Sequence, residues 1–387
     1  MKNLKAIGMA FVLFLITVSG IKITEKHTTP KNSVTYGTWD SASKFANTEG
    51  LKRLVNNKEA MVILGSSELR HCQKTGFHGD TVYQNTDMKP IFIGRGGYQS
   101  LNHAITLGAI ADGIKNKKVV ISVSPQWFKP TGVRKDAFGD SYSESHMIAF
   151  LKNKDISKET KKYVISRIKT LTADNHVMWS RIQDDVKWYM DNDGNTFDKV
   201  RKNIHSYLVN DKAETKLFMA SILRGRLKDK KPGKEKQIQW DKLYKKADLK
   251  GKKMAPKNKY GMFDDVYKRK LKYKVDHNMI RKLNYTTKSI EFKDLQCFLD
   301  VCREENIKAM IVMLPFNGRW SDYAEYPQKN RNKIYNAVRK IAKDKGAELA
   351  DLSEMEYENY VFEDDSHLAL KGLVNFNEQI YNFYKQN

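Results

Sequence analysis

The chain has 387 residues, 40% hydrophobic and 11% aromatic, with only 8 prolines; this excludes a disordered or collagen-like chain and allows one large core or two smaller ones. Its 69 Lys and Arg against 45 Asp and Glu leave a formal charge of +24. So basic a balance calls for an anionic partner: nucleic acid, a lipid surface or a polyanionic polymer.

Lys2 and Lys5 precede an uncharged run, Ala6–Ile21, that ends at Lys22. As a helix its 16 residues span roughly 24 Å, near the lower limit for crossing a hydrocarbon layer of about 30 Å. The run lacks the polar face that a helix on a globular core would carry. We read residues 6–21 as an uncleaved membrane anchor behind a short cytoplasmic tail, residues 1–5. The rival reading is a signal peptide cleaved near Thr17-Val18-Ser19. Either reading puts residues 22–387 outside the cytoplasm. That removes nucleic acid as a partner and leaves anionic lipid or a phosphate-bearing polymer of the cell envelope.

Five short apolar runs predict buried parallel strands: Ala60–Leu64, Pro90–Ile93, Val119–Val123, Ala309–Leu314 and Ala347–Leu352. Helical spacing of apolar residues marks Tyr98–Ile114, Ser289–Asn306, Ser321–Lys345 and Leu368–Lys385. Strands alternating with helices predict a doubly wound α/β sheet with its site at the carboxyl ends of the strands. The third and fourth strands are too far apart for an ordinary crossover. Helical patterns at Ser143–Leu151, Lys158–Leu171 and His176–Met190 make the intervening insertion, about residues 129–288, mostly helical, a layer or lid beside the sheet. From Arg224 to Tyr260 there are 15 Lys or Arg and 4 Asp or Glu, net +11. Pro232, Gly233, Gly251 and Pro256 interrupt that block, and Trp240, Tyr244 and Tyr260 are interleaved. It reads either as solvated surface or as a track for phosphates, with Arg224, Arg226, Lys245 and Lys246 as candidate polymer contacts. Cys72, Cys297 and Cys302 fit buried free thiols, and no spacing resembles a zinc site. No metal and no cofactor is expected.

A serine nucleophile needs a base, a carboxylate to orient that base, and donors aimed at the developing oxyanion. After the first strand come Gly65-Ser66-Ser67-Glu68, where a strand-to-helix turn can expose either serine. Just before the last helix come Asp364-Asp365-Ser366-His367, whose spacing lets one short turn set the carboxylate beside the imidazole. The plain alternatives are a turn with a capping serine and an Asp-capped helix. His71 is a rival base, disfavoured because a helix after Ser67 would aim its ring away from the sheet. His103 reads as structural and Glu68 as a charge at a helix N-terminus. Trp127 and Phe128 are placed to line a pocket or to pack in the core.

This arrangement resembles the SGNH (GDSL-type) hydrolase superfamily, which implies a flavodoxin-like parallel sheet flanked by helices. Aligning Gly65-Ser66-Ser67-Glu68 on its first motif makes Ser67 the nucleophile, with His367 as base and Asp364 behind it. The second motif falls on Gly94-Arg95-Gly96-Gly97 and implies Gly97 as an oxyanion donor. The third motif is absent; Ser124-Pro125-Gln126-Trp127-Phe128 stands there, so Gln126 takes the donor role beside the N–H of Ser67. Gly-Ser-Ser-Glu-Leu, Ser-Pro-Gln-Trp-Phe, the anchor and Asp-x-x-His together resemble the DltD family of D-alanyl-lipoteichoic acid biosynthesis in Gram-positive bacteria. The resemblance implies a single-pass membrane protein with an extracellular domain that transfers D-alanyl esters onto teichoic acid. Its implied partners are a membrane O-acyltransferase, a small membrane peptide and the D-alanyl carrier system. A non-catalytic scaffold and a D-alanyl thioesterase or esterase are the alternatives.

Overall fold

Parallel strands covered by helices on both sides bury every side chain, so their sequences read as unbroken apolar runs. The computed structural model describes residues 2–28, 47–73, 75–191, 196–223, 236–255, 257–280 and 282–386. Its sheet is made of β1 (Ala60–Gly65), β2 (Lys89–Gly94), β3 (Lys118–Val123), β4 (Lys308–Met313) and β5 (Glu348–Asp351). The order is β2-β1-β3-β4-β5 and every pairing is parallel: the doubly wound sheet that the alternation of strands and helices predicts, in the flavodoxin-like order that the resemblance implies. Side chains alternate between two cores. Val62, Leu64, Val119, Ile121 and Ile311 face one, and Met61, Ile63, Val120, Met310 and Val312 face the other.

Among the described residues there are eleven longer helices, all but the first packed around the sheet or its insertion. They are α1 (Lys2–Thr28), α2 (Thr48–Val55), α3 (Ser100–Ile110), α4 (Glu144–Lys152), α5 (Lys158–Leu171), α6 (His176–Asp185), α7 (Thr196–Leu223), α8 (Trp240–Met254), α9 (Glu291–Glu304), α10 (Gln328–Lys345) and α11 (Leu370–Lys385). Within α1, Lys5–Thr24 form a 20-residue apolar stretch with no part buried, longer than the 16 residues read from the uncharged run. As a helix it spans about 30 Å, the thickness of a bilayer core. A signal sequence has the same features.

The helix expected over Ser321–Lys345 is broken. A short helix, Gly318–Tyr323, ends before Glu325, whose φ is 55°, and α10 restarts with Pro327 as its N-cap. Proline disfavours a helical residue before it and suits a helix start.

The insertion covers both sheet faces instead of forming one layer. Met147, Phe150, Ile168 and Ile182, from α4–α6, join the first core, while α8 packs on α11 over the second. The described part of the basic block also departs from expectation. Gly251 does not interrupt it but lies inside α8, where a Cβ would meet the Tyr360 ring at 2.2 Å. Trp240, Leu243 and Tyr244 pack inward and Tyr260 is buried, while Lys242, Lys245 and Lys246 face solvent. Arg224 and Arg226 lie outside the described residues. Cys297 and Cys302 are buried free thiols as expected, but Cys72 is only half-buried.

Glycine is required where β1 and β2 end side by side, because a Cβ on Gly94 would fall 1.9 Å from the Gly65 carbonyl oxygen. Gly94→Ala should therefore cost about 3 kcal/mol or prevent folding. Gly139→Ala, on an exposed helix with nothing within 4 Å, should gain roughly 0.5 kcal/mol from helix propensity. Urea unfolding of the two variants measures the contrast, and equal midpoints would contradict this packing.

Candidate active site

In a sheet of this order the crevice opens outside the carboxyl ends of the strands, where β1 and β3 send their connections to opposite sides. The turns after β1, β2 and β3 meet there. Ser66, Ser67, Gly97, Gln126, Trp127, Lys129 and Arg134 line a cavity of about 250 Å³.

Ser67 opens a single 3₁₀ turn, Ser67–Leu69, and is partly exposed. The elbow is braced from behind. His103, fully buried on α3, donates from Nε2 to the Gly65 carbonyl at 3.0 Å, and burial pushes its pKa down to about 3, so it stays neutral. Glu68, read as a charge at a helix N-terminus, does lie in this first turn but does not face solvent. It is buried, it accepts the Ser66 N–H at 2.7 Å, and burial raises its pKa against the opposing pull of that bond.

The C-terminal half of the site is a tight loop. Phe362 and Leu368 form an isolated antiparallel bridge, and the Glu363 N–H bonds the His367 carbonyl at 2.9 Å. Inside the loop Asp364 Oδ1 accepts the backbone N–H groups of Ser366 and His367 at 3.0 and 2.9 Å. Helix α11 starts later, with Ala369 as its N-cap, so Asp364 caps no helix.

The two halves meet. Ser67 Oγ lies 2.8 Å from His367 Nε2, and His367 Nδ1 lies 2.9 and 3.1 Å from Asp364 Oδ1 and Oδ2. With neutral His367 protonated at Nδ1, that N–H donates to Asp364 and Nε2 accepts the Ser67 hydroxyl. Burial opposes charge on both partners. The hydrogen bond and charge of His367 nevertheless hold Asp364 far below the usual carboxylate range. Those of Asp364, aided by Glu68 and Asp365, raise His367 above the ordinary imidazole value. Such a chain can take a proton from the serine hydroxyl and stabilise the imidazolium that results.

Other expected residues are placed less simply. Gly97, with φ +88°, borders the cavity, but its N–H donates to Ser66 Oγ at 3.1 Å, and that hydroxyl donates to the Arg95 carbonyl at 3.2 Å. Gln126 lies on the cavity wall, and its amide makes no hydrogen bond among the described residues. Trp127 is buried against the cavity, whereas Phe128 stacks on Phe292 in the core, with ring centroids 4.2 Å apart.

Three contacts escape the sequence. His71 does not point away: its ring stacks on His367, centroids 3.7 Å apart and planes within 10°, and its Nδ1 meets Glu363 Oε2 at 3.0 Å. The helix assumed after Ser67 is only one turn, and Cys72, with φ 59°, bends the chain back. Lys270 reaches from the insertion to Asp364 Oδ2 at 3.1 Å. Lys129 stands exposed at the rim of the cavity. No local spacing signals the first two contacts, though Lys129 follows Ser-Pro-Gln-Trp-Phe closely enough to have been drawn in with that motif.

A family model described as DltD protein matches residues 39–385. Protein DltD of Bacillus subtilis (strain 168) is 30% identical over 342 residues, covering 86% of this chain and 84% of that protein. Protein DltD of Staphylococcus aureus (strain NCTC 8325 / PS 47) is 27% identical over 329 residues, 85% of this chain and 82% of that one. Protein DltD of Lacticaseibacillus rhamnosus is 24% identical over 355 residues, 87% and 80% of the two chains. With the family matched from before α2 to the end of α11, this chain belongs to the DltD family.

Proposed function

We propose that this protein acts in the D-alanylation of teichoic acid, by transferring a D-alanyl group through an ester on Ser67. The observation that carries the reading is the hydrogen-bonded series Ser67–His367–Asp364 at the mouth of the cavity. In the first half-reaction Ser67 Oγ attacks the carbonyl carbon of an activated D-alanyl donor while His367 Nε2 takes the hydroxyl proton. The tetrahedral oxyanion is held by the N–H of Ser67, the Gln126 amide and the Gly97 N–H, the last once Ser66 Oγ releases it. As the intermediate collapses, His367 returns the proton to the leaving group. In the second half-reaction a polyol hydroxyl attacks the Ser67 ester, His367 accepts its proton, and Ser67 leaves as the hydroxyl. If water enters instead, the same groups hydrolyse the ester.

Charge and apolar surface support an envelope setting. Lys129 at the cavity rim and the solvent-facing Lys245 and Lys246 offer cations to the polymer's phosphates. The α1 stretch Lys5–Thr24 would anchor the chain, with residues beyond it outside the cytoplasm. Phe197, Val200, Ile204 and Leu208 form an exposed apolar stripe on α7, and Asp211 of α7 pairs with Lys22 of α1 at 2.6 Å. That stripe beside the anchor suits a bilayer or a membrane acyltransferase.

Ser67→Ala should lower cell-envelope D-alanine ester roughly 10³-fold, to background, while the protein stays folded and membrane-bound. Ester assay on washed cells checks this, and normal ester in that variant would leave only a scaffold role. The rate of Ser67 acylation should rise with pH as His367 loses its proton, with a midpoint above the ordinary 6.5. Lys270→Ala removes a cation beside Asp364 and should move that midpoint higher. Stopped-flow acylation across pH reads both; a flat profile, or a midpoint below 6.5, would remove His367 as the base.

A further inference from the structure

Away from the proposed active site, the insertion buries a carboxylate that no described residue hydrogen-bonds. Asp185, the last residue of α6, has a side chain only 1% exposed. Neither of its oxygens accepts a hydrogen bond among the described residues. A buried carboxylate without a partner is costly, and native folds rarely leave one. Two other ligating groups face it from different helices. His205 Nε2, on α7, lies 3.5 Å from Asp185 Oδ1 and 3.4 Å from Glu144 Oε1, on the first turn of α4. Neither contact has the geometry of a hydrogen bond. The nearby cation, Lys152, is engaged elsewhere: its ammonium donates to Ser206 Oγ at 2.9 Å and sits over the Tyr189 ring.

We propose that Glu144, Asp185 and His205 bind a divalent transition-metal ion of the zinc class, which ties α4, α6 and α7 together. The three ligand atoms all lie within 4.8 Å of one another. Metal bonds of about 2.0–2.1 Å hold two tetrahedral ligands roughly 3.3 Å apart, close to the two separations above. Two carboxylates and a neutral imidazole around a divalent ion give an uncharged unit, which suits burial. The imidazole selects against magnesium and calcium, which prefer all-oxygen shells. His205 and Glu144 are each about one-third exposed, which leaves an ion a way in from solvent, and Glu144 also borders a cavity of about 380 Å³ with Tyr142 and Asn175. The phenolic oxygen of Tyr142 is likewise buried without a hydrogen bond. The ligands lie 41 and 20 residues apart in the chain, so no compact ligand motif marks them.

Tag-free, full-length protein in detergent tests the site. After incubation with zinc and dialysis into metal-free buffer, elemental analysis should find one ion per chain. Zinc should raise the melting temperature by roughly 3 °C or more, EDTA should reverse the rise, and magnesium should not produce it. His205→Ala should lose both ion and rise, with Glu144→Gln as the second variant should the first misfold. Failure to retain zinc, equal stabilisation by magnesium, or full retention by both variants would overturn the proposal. So would loss of the ion in His71→Ala but not in His205→Ala, which would place it among His71, Asp364 and His367.

Discussion

One hydrogen bond, 2.8 Å between Ser67 Oγ and His367 Nε2, joins residues 300 positions apart, and the chain is arranged so that neither end can drift. On the serine side β1 and β2 converge so closely that Gly94 has no room for a side chain, and at Gly65 the space is taken by Glu68 and Leu69 of the turn that follows. His103 and Glu68 then hold the backbone of the elbow from beneath. On the histidine side the Phe362–Leu368 bridge closes a loop in which the Ser366 and His367 amides turn toward Asp364. Preorganisation of this kind matters because a proton acceptor displaced by an ångström loses much of its effect.

The imidazole is held at both nitrogens and on one face. Asp364 takes its Nδ1, Ser67 meets its Nε2, and the His71 ring covers one face, itself fixed by Glu363. Lys270 adds a cation behind Asp364. That contact ties the insertion to the site: the segment that carries Lys270 also bonds the loop through the Phe263 N–H and the Glu363 carbonyl at 3.1 Å. The insertion is therefore part of the site's frame as well as a cover for the two cores.

Much of this was legible in the sequence, and for a physical reason. Strands buried on both faces must be uniformly apolar, so β1 to β4 announce themselves, with glycine-serine directly after β1; β5, an edge strand with Glu348 and Asp351 at its ends, is only partly buried and reads less clearly. The α/β order sets both motifs at the carboxyl end of the sheet, and the resemblance to the SGNH hydrolases singles out Ser67 to face His367 and Asp364. Features set by tertiary contact were not legible. His71 was misplaced because a helix was assumed where Cys72 turns the chain. Glu68 was read as a charge at a helix N-terminus, and its burial leaves no local mark. Nothing local shows that Tyr360 packs on Gly251 or that Ser66 engages the Gly97 N–H. Pro327 was visible, yet helical periodicity on either side concealed the break before it.

The central claim is that Ser67 is an activated nucleophile. An alkyl fluorophosphonate reacts with such a serine by displacement of fluoride, leaving a stable adduct at the attacking oxygen. Peptide mass spectrometry of the treated, folded protein should find the adduct on Ser67 and should lose it when His367 is replaced by alanine. An adduct on Ser66, or none on the folded protein, would contradict the account.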